Sequence, residues 1–370
     1  MAGHDDEPAD AQLWTHPDRC PVTAADRLPT VGAPPEPCRP RAVREEVAMF
    51  LFDSIPWESW AMWFVVLGAL IVLNEVTRRW KWAGIAFFVA LPLFLTLFVW
   101  PSTAGEGSST GTWFHWVKVY SALAGCLGFM LLRYVDKLAK NRWMLLFPAL
   151  ILAINICEAV IRDFQVAGLQ GMHDGVFMVG GPWNYMNGIA GILNALTICG
   201  WAGIIVSRDK SKDMIWPDML WFWIIAYDLW NFAYVYNCVG DHAFYAGAAL
   251  LISCTIPAFF LKKGAWLQHR AHTLALWMMF TMAVPAFVTT SQFSVQSSHD
   301  ETALFVVSAL SLAANVAVAV YQVRTIVTRR RNPLRDELFT HLRPYREVLE
   351  ANAPLPAAAA TRAEQPLAHA

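Results

Sequence analysis

The chain has 370 residues, of which 56% are hydrophobic and 15% are charged, and its net charge is −1. Soluble domains average about 45–50% apolar and about 25% charged residues. This composition therefore excludes disorder or a coiled coil for the bulk of the chain and disfavours a soluble two-domain enzyme. A net charge near zero also offers no basic face to nucleic acid, so no nucleic-acid partner is expected. The composition predicts a protein with several membrane spans.

The first 48 residues differ from the rest of the chain. They are rich in Pro and contain no apolar segment typical of a signal peptide, so we expect them to be disordered. Met49 then opens the first apolar stretch. Two interpretations stay open, namely a true disordered tail and an extension upstream of a start at Met49.

Long stretches without charge mark the predicted spans. No Asp, Glu, Lys or Arg occurs at 271–299 or at 302–322. A helix needs about 20 mostly apolar residues to cross about 30 Å of hydrocarbon, and backbone groups in lipid must bond within the segment. The pattern predicts an all-α transmembrane helix bundle over 49–330 with nine spans. The predicted spans are 57–76, 83–100, 113–132, 143–161, 183–206, 215–238, 244–261, 273–293 and 302–323.

Lys and Arg residues concentrate in alternate connections between these spans and in the two tails. Of the 28 cations, 13 fall in four alternate connections, while the other four connections contain none. Positively charged residues stay in the cytoplasm, so the basic connections and the C-terminus are predicted inside and the N-terminus outside. The fourth basic connection includes Arg270, which this pattern places in a cytoplasmic loop.

The residues after the last span, 331–370, form a predicted cytoplasmic tail. Leucines and a tyrosine recur at helical spacing among charged residues over 334–351. This spacing predicts a helix that lies on the inner leaflet, and a solvated tail helix is the alternative.

Two cations, Lys118 and Arg162, lie within predicted spans. Ionisable groups in spans usually mark function or internal pairing. Lys118 has no acidic residue three or four positions away, so its partner must lie on another helix. Glu158, Asp163 and Asp241 are the candidates at similar depth.

The polar residues of spans 3 to 6 predict a cavity in the outer half that binds or transports a small polar or anionic solute. Lys118 and Arg162 favour an anionic group. Asp228 has no cation at its predicted depth, so it is either a protonated group that couples protons or a neutral structural Asp. The asparagines alternatively make structural hydrogen bonds between helices. The predicted binding residues are Lys118, Glu158, Arg162, Asn184, Asn187, Asp228, Asn231, Asn237 and Asp241.

Adjacent His and Asp residues in three outer connections suggest a second hypothesis, a membrane-embedded metal-dependent enzyme. Imidazole and carboxylate together suit Zn²⁺ or Mn²⁺. The candidate ligands are His115, His173, Asp174 and His242. Apart from this divalent metal no cofactor is expected, because no predicted span has a His at mid-depth to bind haem. A third hypothesis is a non-catalytic sensor or assembly partner that uses the basic tail.

Three segments resemble a known family. They are FDSIPWESWAMWF (52–64), LNEVTRRWKW (73–82) and YDLWNFAYVYNCVGDHAFYAG (227–247). The chain resembles an uncharacterised family of bacterial multi-pass membrane proteins, described only as a domain of unknown function, over about residues 49–330. The resemblance implies an integral protein of the bacterial cytoplasmic membrane, and it implies no activity and no catalytic residue.

Overall fold

A computed structural model describes residues 50–104, 109–141 and 143–352. Most of these residues are helical. The long helices are α1 (Trp57–Arg79), α2 (Lys81–Thr103), α3 (Trp113–Tyr134), α4 (Met144–Val166), α5 (Pro182–Leu196), α6 (Trp221–Cys238), α7 (Gly240–Phe260), α8 (Trp266–Ala283), α9 (Glu301–Arg329) and α10 (Arg343–Ala351). Two antiparallel hairpins complete the described fold, β1 (Gln170–His173) with β2 (Val176–Val179) and β3 (Ile205–Val206) with β4 (Met214–Ile215).

Six of these helices are long and apolar enough to cross a membrane: α1, α2, α3, α4, α7 and α9. This finding confirms a mostly helical membrane protein. The helices α5, α6 and α8 are shorter or more polar. Most residues of α6 and α8 are buried by neighbouring helices, so their side chains are not selected for contact with lipid.

Two predicted spans have the wrong bounds. The helix predicted at 183–206 ends at Leu196, because Gly200 adopts a left-handed backbone conformation (φ +67°) and β3 follows. The helix predicted at 273–293 begins at Trp266 and ends at Ala283. Its start follows Gly264, which also has a positive φ (+83°) and completes the turn after α7. Arg270 therefore lies inside α8, not in a loop.

One end of the bundle, which we call the basic end, is organised around Asp213 beside β4. The Arg78 guanidinium lies 2.6 Å from the Asp213 carboxylate, and Gln268 donates a hydrogen bond to it at 2.8 Å. Arg133 donates hydrogen bonds to the carbonyls of Ser211 and Lys212. The ends of α1 and α3, the start of α8 and the β3–β4 hairpin are thus joined through one buried carboxylate.

At the opposite end, the segment before α9 joins three elements. Phe52 pairs with Ser297 in an isolated β-bridge, and the hydroxyls of Tyr236 and Ser298 are 3.1 Å apart. His299 lies 3.1 Å from the carbonyl of Phe177 in β2. Successive long helices therefore run alternately from one end to the other.

Small residues let α5 pack closely against its neighbours. A Cβ atom on Gly191 would lie 2.5 Å from both Val160 on α4 and Trp230 on α6. A Cβ atom on Gly188 would lie 2.9 Å from the ring of Phe164. The lack of a side chain at Gly188 and Gly191 therefore permits this close approach of helices.

The residues after α9 pack against the bundle at its basic end. The backbone N–H groups of Leu338 and Phe339 each donate a hydrogen bond of 2.8 Å to the carboxylate of Asp218. α10 begins at Arg343, not at 334, and it buries Tyr345 and Val348 against the bundle. This segment thus packs against the bundle, and its position on the inner leaflet stays a prediction. Three parts of the sequence lie outside the described residues. They are the proposed extension 1–48, the alternative start of the chain at Met49, and the last residues, 353–370.

Replacing Asp218 tests how this segment is attached. Asp218→Ala leaves two buried N–H donors without an acceptor. Each unsatisfied donor lowers the free energy of unfolding by about 1–3 kcal/mol. We expect faster proteolytic removal of the segment and a lower thermal unfolding midpoint. Asp136→Ala is the control, because its carboxylate is exposed and 4.0 Å from Lys212. Equal protease resistance of the Asp218→Ala and control variants would contradict the attachment.

Candidate functional site

A small cavity of ≈ 50 Å³ lies inside the bundle between α3, α6, α7 and α8. Its lining combines apolar residues with cationic, amide, imidazole and hydroxyl groups. The polar lining residues are His115, Lys118, Asn231, Tyr234, His242 and Arg270. The structure thus brings together four of the residues singled out in the sequence, Lys118, Asn231, His115 and His242, with an arginine that the sequence analysis placed elsewhere.

Arg270 is the central residue of this site. It is 5% exposed, and its Nη2 donates a hydrogen bond of 3.1 Å to Asn231, while its Nε lies 3.4 Å from the hydroxyl of Tyr227. Its Nη1 has no hydrogen-bond partner among the described residues, and neither has the hydroxyl of Tyr234. Several buried side-chain atoms of the described residues have no hydrogen-bond partner, and among them only Arg270 Nη1 belongs to a permanently charged group.

Lys118 is the second cation in the lining. Its Nζ is 3.0 Å from the carboxylate of Glu158 and donates a hydrogen bond of 2.7 Å to the carbonyl of Asn155. The prediction that Lys118 pairs with another helix is confirmed, with Glu158 as the partner. Glu158 also accepts a hydrogen bond of 3.2 Å from Ser121.

Two histidines also line the cavity. The rings of His115 and His242 are 5.2 Å apart, and both residues are buried. His115 Nδ1 lies 3.2 Å from the Thr112 hydroxyl, and His242 Nε2 lies 3.8 Å from the carboxylate of Asp241. The two rings thus add adjacent imidazole groups to the polar lining.

A second small cavity of ≈ 30 Å³ adjoins the first and shares Arg270 and Leu274 with it. Ser121, Asn155 and Tyr227 supply its polar lining. The Arg270 side chain therefore stands between two cavities that follow one another along α8.

Asp228 lies beside this site without lining either cavity. Its Oδ2 accepts a hydrogen bond of 2.7 Å from Thr255, whose hydroxyl also accepts one of 3.1 Å from the indole of Trp266. Its Oδ1 has no partner among the described residues. Arg270 is close enough to interact with Asp228 electrostatically, so the expectation that Asp228 lacks a nearby cation is wrong.

Several predicted binding residues lie outside the cavity. Arg162 is 3.4 Å from Asp174 of the β1–β2 turn. Asn187 donates to Asp163 at 2.8 Å and accepts from Ser311 at 2.7 Å.

The remaining predicted asparagines also bond to other elements. Asn184 contacts the thiol of Cys238 at 3.5 Å, and Asn237 donates to Ser308 at 2.8 Å. Asn184, Asn187 and Asn237 thus make the hydrogen bonds between helices that the sequence left open as their alternative role.

The four candidate metal ligands separate into two places. His115 and His242 are neighbours in the cavity, whereas His173 and Asp174 lie on the β1–β2 hairpin, where His173 is 2.9 Å from the Gln170 carbonyl. Over the described ranges, no three His, Cys, Asp or Glu side chains are grouped to hold a metal ion. The divalent-metal hypothesis stays a prediction.

A polar cluster between α1 and the first turns of α8 escaped the sequence analysis. Asn74 Nδ2 is 2.7 Å from His269, and the Thr77 hydroxyl is 3.2 Å from His272. Both histidines are fully buried inside α8, whereas the predicted spans left them in the connection before 273. The sequence signal that could have revealed them is Gly264, which completes the turn before α8. Because of this turn, α8 begins at Trp266 and not at the predicted position 273.

A double-mutant cycle tests the Lys118–Glu158 pair. Glu158→Gln leaves a buried ammonium without its carboxylate, so we expect the free energy of unfolding to fall by about 3–5 kcal/mol. Lys118→Met combined with Glu158→Gln removes both charges and is expected to cost less than the single changes Lys118→Met and Glu158→Gln added together. Thermal unfolding in detergent measures this, with the exposed Lys137→Met as control. Strictly additive effects would exclude the pair.

Comparison with known proteins gives one match. A family model described as "Family of unknown function (DUF5692)" matches residues 53–351. No curated protein and no solved structure matches the chain.

Proposed function

We propose a function for this chain from one premise, that it belongs to the Family of unknown function (DUF5692). The family assigns no activity, so the proposal rests on the cavity between α3, α6, α7 and α8. We infer that this membrane protein binds a small anion in that cavity and passes it between the two sides of the bilayer. The observation behind this inference is the buried Arg270 Nη1 without a partner.

The charges around the cavity favour an anion over a cation or a neutral solute. Glu158 pairs with Lys118, but within the described part of the chain no carboxylate lies within 4 Å of the Arg270 guanidinium. Asp228 is near enough to interact with Arg270 electrostatically but makes no ion pair with it, and a buried guanidinium without a contacting counter-ion is unfavourable. An anion beside Arg270 and Lys118 would supply the missing charge and would accept hydrogen bonds from Arg270 Nη1 and from the Tyr234 hydroxyl.

The cavity volume limits the size of the ligand. At ≈ 50 Å³ the cavity admits a few water molecules or an anion with a few heavy atoms. We therefore propose an anion of the size of formate or nitrate.

The second cavity and Asp228 suggest how the anion would move. An anion that leaves the first cavity would pass Arg270 toward Ser121 and Asn155 in the second. We propose that Asp228, beside Arg270, takes up and releases a proton as the anion passes. Its Oδ1, buried without a partner, supports this role.

We also propose the membrane topology predicted from the basic connections, with nine spans, the N-terminal side outside and the basic end in the cytoplasm. Two features support it. The long helices alternate between the two ends, and Arg78, Arg133 and Lys262 all lie at one end. For a bacterial protein this membrane would be the cytoplasmic membrane.

Labelled formate or nitrate, offered to proteoliposomes that contain the full chain, tests anion binding. We expect Arg270→Gln to lower uptake about tenfold or more, because a hydrogen bond to a charged group is worth about 1.5–3 kcal/mol. Lys118→Met should also lower it. Arg162→Gln is the matched control, since it removes a buried cation outside the cavity, and it should leave uptake unchanged.

Two outcomes of this assay contradict the proposal. One is unchanged uptake by Arg270→Gln, and the other is equal loss in Arg270→Gln and Arg162→Gln while each remains folded by circular dichroism. Asp228→Asn separates proton coupling from binding. It should retain formate or nitrate binding but lose the stimulation of uptake by an imposed proton gradient.

Cysteine labelling of intact cells tests the topology in a background with Cys20→Ser, Cys38→Ser and Cys157→Ser. Met172→Cys, on the exposed β1–β2 hairpin, should react with a membrane-impermeant maleimide from outside. Lys137→Cys, between α3 and α4, should react after the membrane is permeabilised. The reverse labelling pattern would show that the topology is inverted.

A further inference from the structure

A second site lies at the basic end, apart from the anion cavity. It is an open recess of ≈ 830 Å³. Its walls are the turn between α1 and α2, the turn between α7 and α8, and the β3–β4 connection. Its lining holds five cations and one carboxylate. The charged lining residues are Arg78, Arg79, Asp209, Lys210, Lys262 and Lys263.

The deep cations of this recess are already neutralised. Arg78 is paired with Glu75 and with Asp213, and Lys262 is 2.6 Å from Asp209. Burial opposes ionisation of Asp209, but hydrogen bonds from Lys262, Ser207 and Ser211 lower its pKa to about 2. Asp209 is therefore a full counter-charge for Lys262 at neutral pH.

The cations at the mouth retain an excess of positive charge. The Arg79 side chain is 60% exposed and shares the carboxylate of Glu75 with Arg78. Lys263 pairs with Glu347 on α10 but is 44% exposed. Lys210 is exposed beside them. Arg79 and Lys263 share their carboxylates with Arg78 and Arg343, so each such group of two cations and one carboxylate keeps a net positive charge for an anionic group.

Large apolar side chains border the same recess. Trp80 is 65% exposed, Phe260 is 79% exposed and Leu261 is 52% exposed. They belong to the ends of α1 and α7, two helices that are apolar enough to cross a membrane. Cations beside exposed aromatic groups at a helix end match the two halves of a phospholipid, a phosphate headgroup and acyl chains.

We propose that this recess binds an anionic phospholipid. Its phosphate lies on Arg79, Lys210 and Lys263, and its acyl chains run along Trp80 and Phe260. The bound lipid joins the α1–α2 turn to the α7–α8 turn and so supports the packing of α10. This site is independent of the proposed anion transport.

Lipid retention by the purified full chain tests the proposal. The delipidated protein is mixed with phosphatidylglycerol and phosphatidylcholine in equal amounts, and the retained lipid is measured by mass spectrometry. We expect the protein to retain phosphatidylglycerol in excess. Arg79→Gln, Lys210→Gln and Lys263→Gln together should reduce this preference at least tenfold.

The matched control removes three exposed cations from the same end outside the recess, with Lys137→Gln, Lys140→Gln and Arg335→Gln. It should keep the preference for phosphatidylglycerol. Equal loss in both triple variants would show general attraction to basic charge and would overturn the site. Trp80→Ala with Phe260→Ala distinguishes the source of the phosphate, since it should weaken lipid retention. Displacement of the lipid by inorganic phosphate at equal concentration would also overturn the lipid proposal.

Discussion

Polar side chains buried between the helices of a membrane protein must find their partners within the protein, and α8 is the described helix on which this constraint acts most strongly. Its first turns contain Gln268, His269, Arg270 and His272, all of them buried. The two histidines contact α1, Arg270 contacts α6 and Gln268 contacts Asp213 beside β4. The helices around α8 are therefore arranged so that their polar groups meet it. The β3–β4 hairpin folds back onto the bundle for the same reason, because Asp213 is the shared partner of Gln268 and Arg78.

This arrangement leaves one permanently charged donor, Arg270 Nη1, unmatched among the described residues. The cost of a buried charge without a partner is high, so the position of Arg270 between two cavities makes it the best indication of function. Lys118 differs, because Glu158 compensates its charge. Two cations that share a cavity thus have separate roles in the proposal. The Lys118 ammonium stays paired with Glu158 beside the ligand. The Arg270 guanidinium, which contacts no carboxylate among the described residues, pairs with the anion.

Residue order alone indicated much of the fold. The ends of α1, α3 and α4 fall within a few residues of their predicted bounds. The lack of an acidic residue three or four positions from Lys118 predicted a partner on another helix, with Glu158 as one of three candidates. The site itself was predicted only in part. Lys118, Asn231, His115 and His242 line the cavity, whereas Arg162 and the asparagines of α5 bond elsewhere. Spacing places residues on a helical face but does not say which neighbouring helix that face meets.

Contact with lipid selects apolar residues, so the six apolar helices can be identified in the sequence without a structure, and so can the separation of basic connections from those without Lys or Arg. A helix shielded by its neighbours is under no such selection. α8 therefore has the composition of a polar loop at its start, and Arg270 is assigned wrongly from charge alone. Tertiary packing decided that Arg270 is buried, that it stands beside Asp228 and Asn231, and that it faces a cavity. Those contacts join residues from helices far apart in the chain, and their geometry depends on how the helices pack rather than on local spacing.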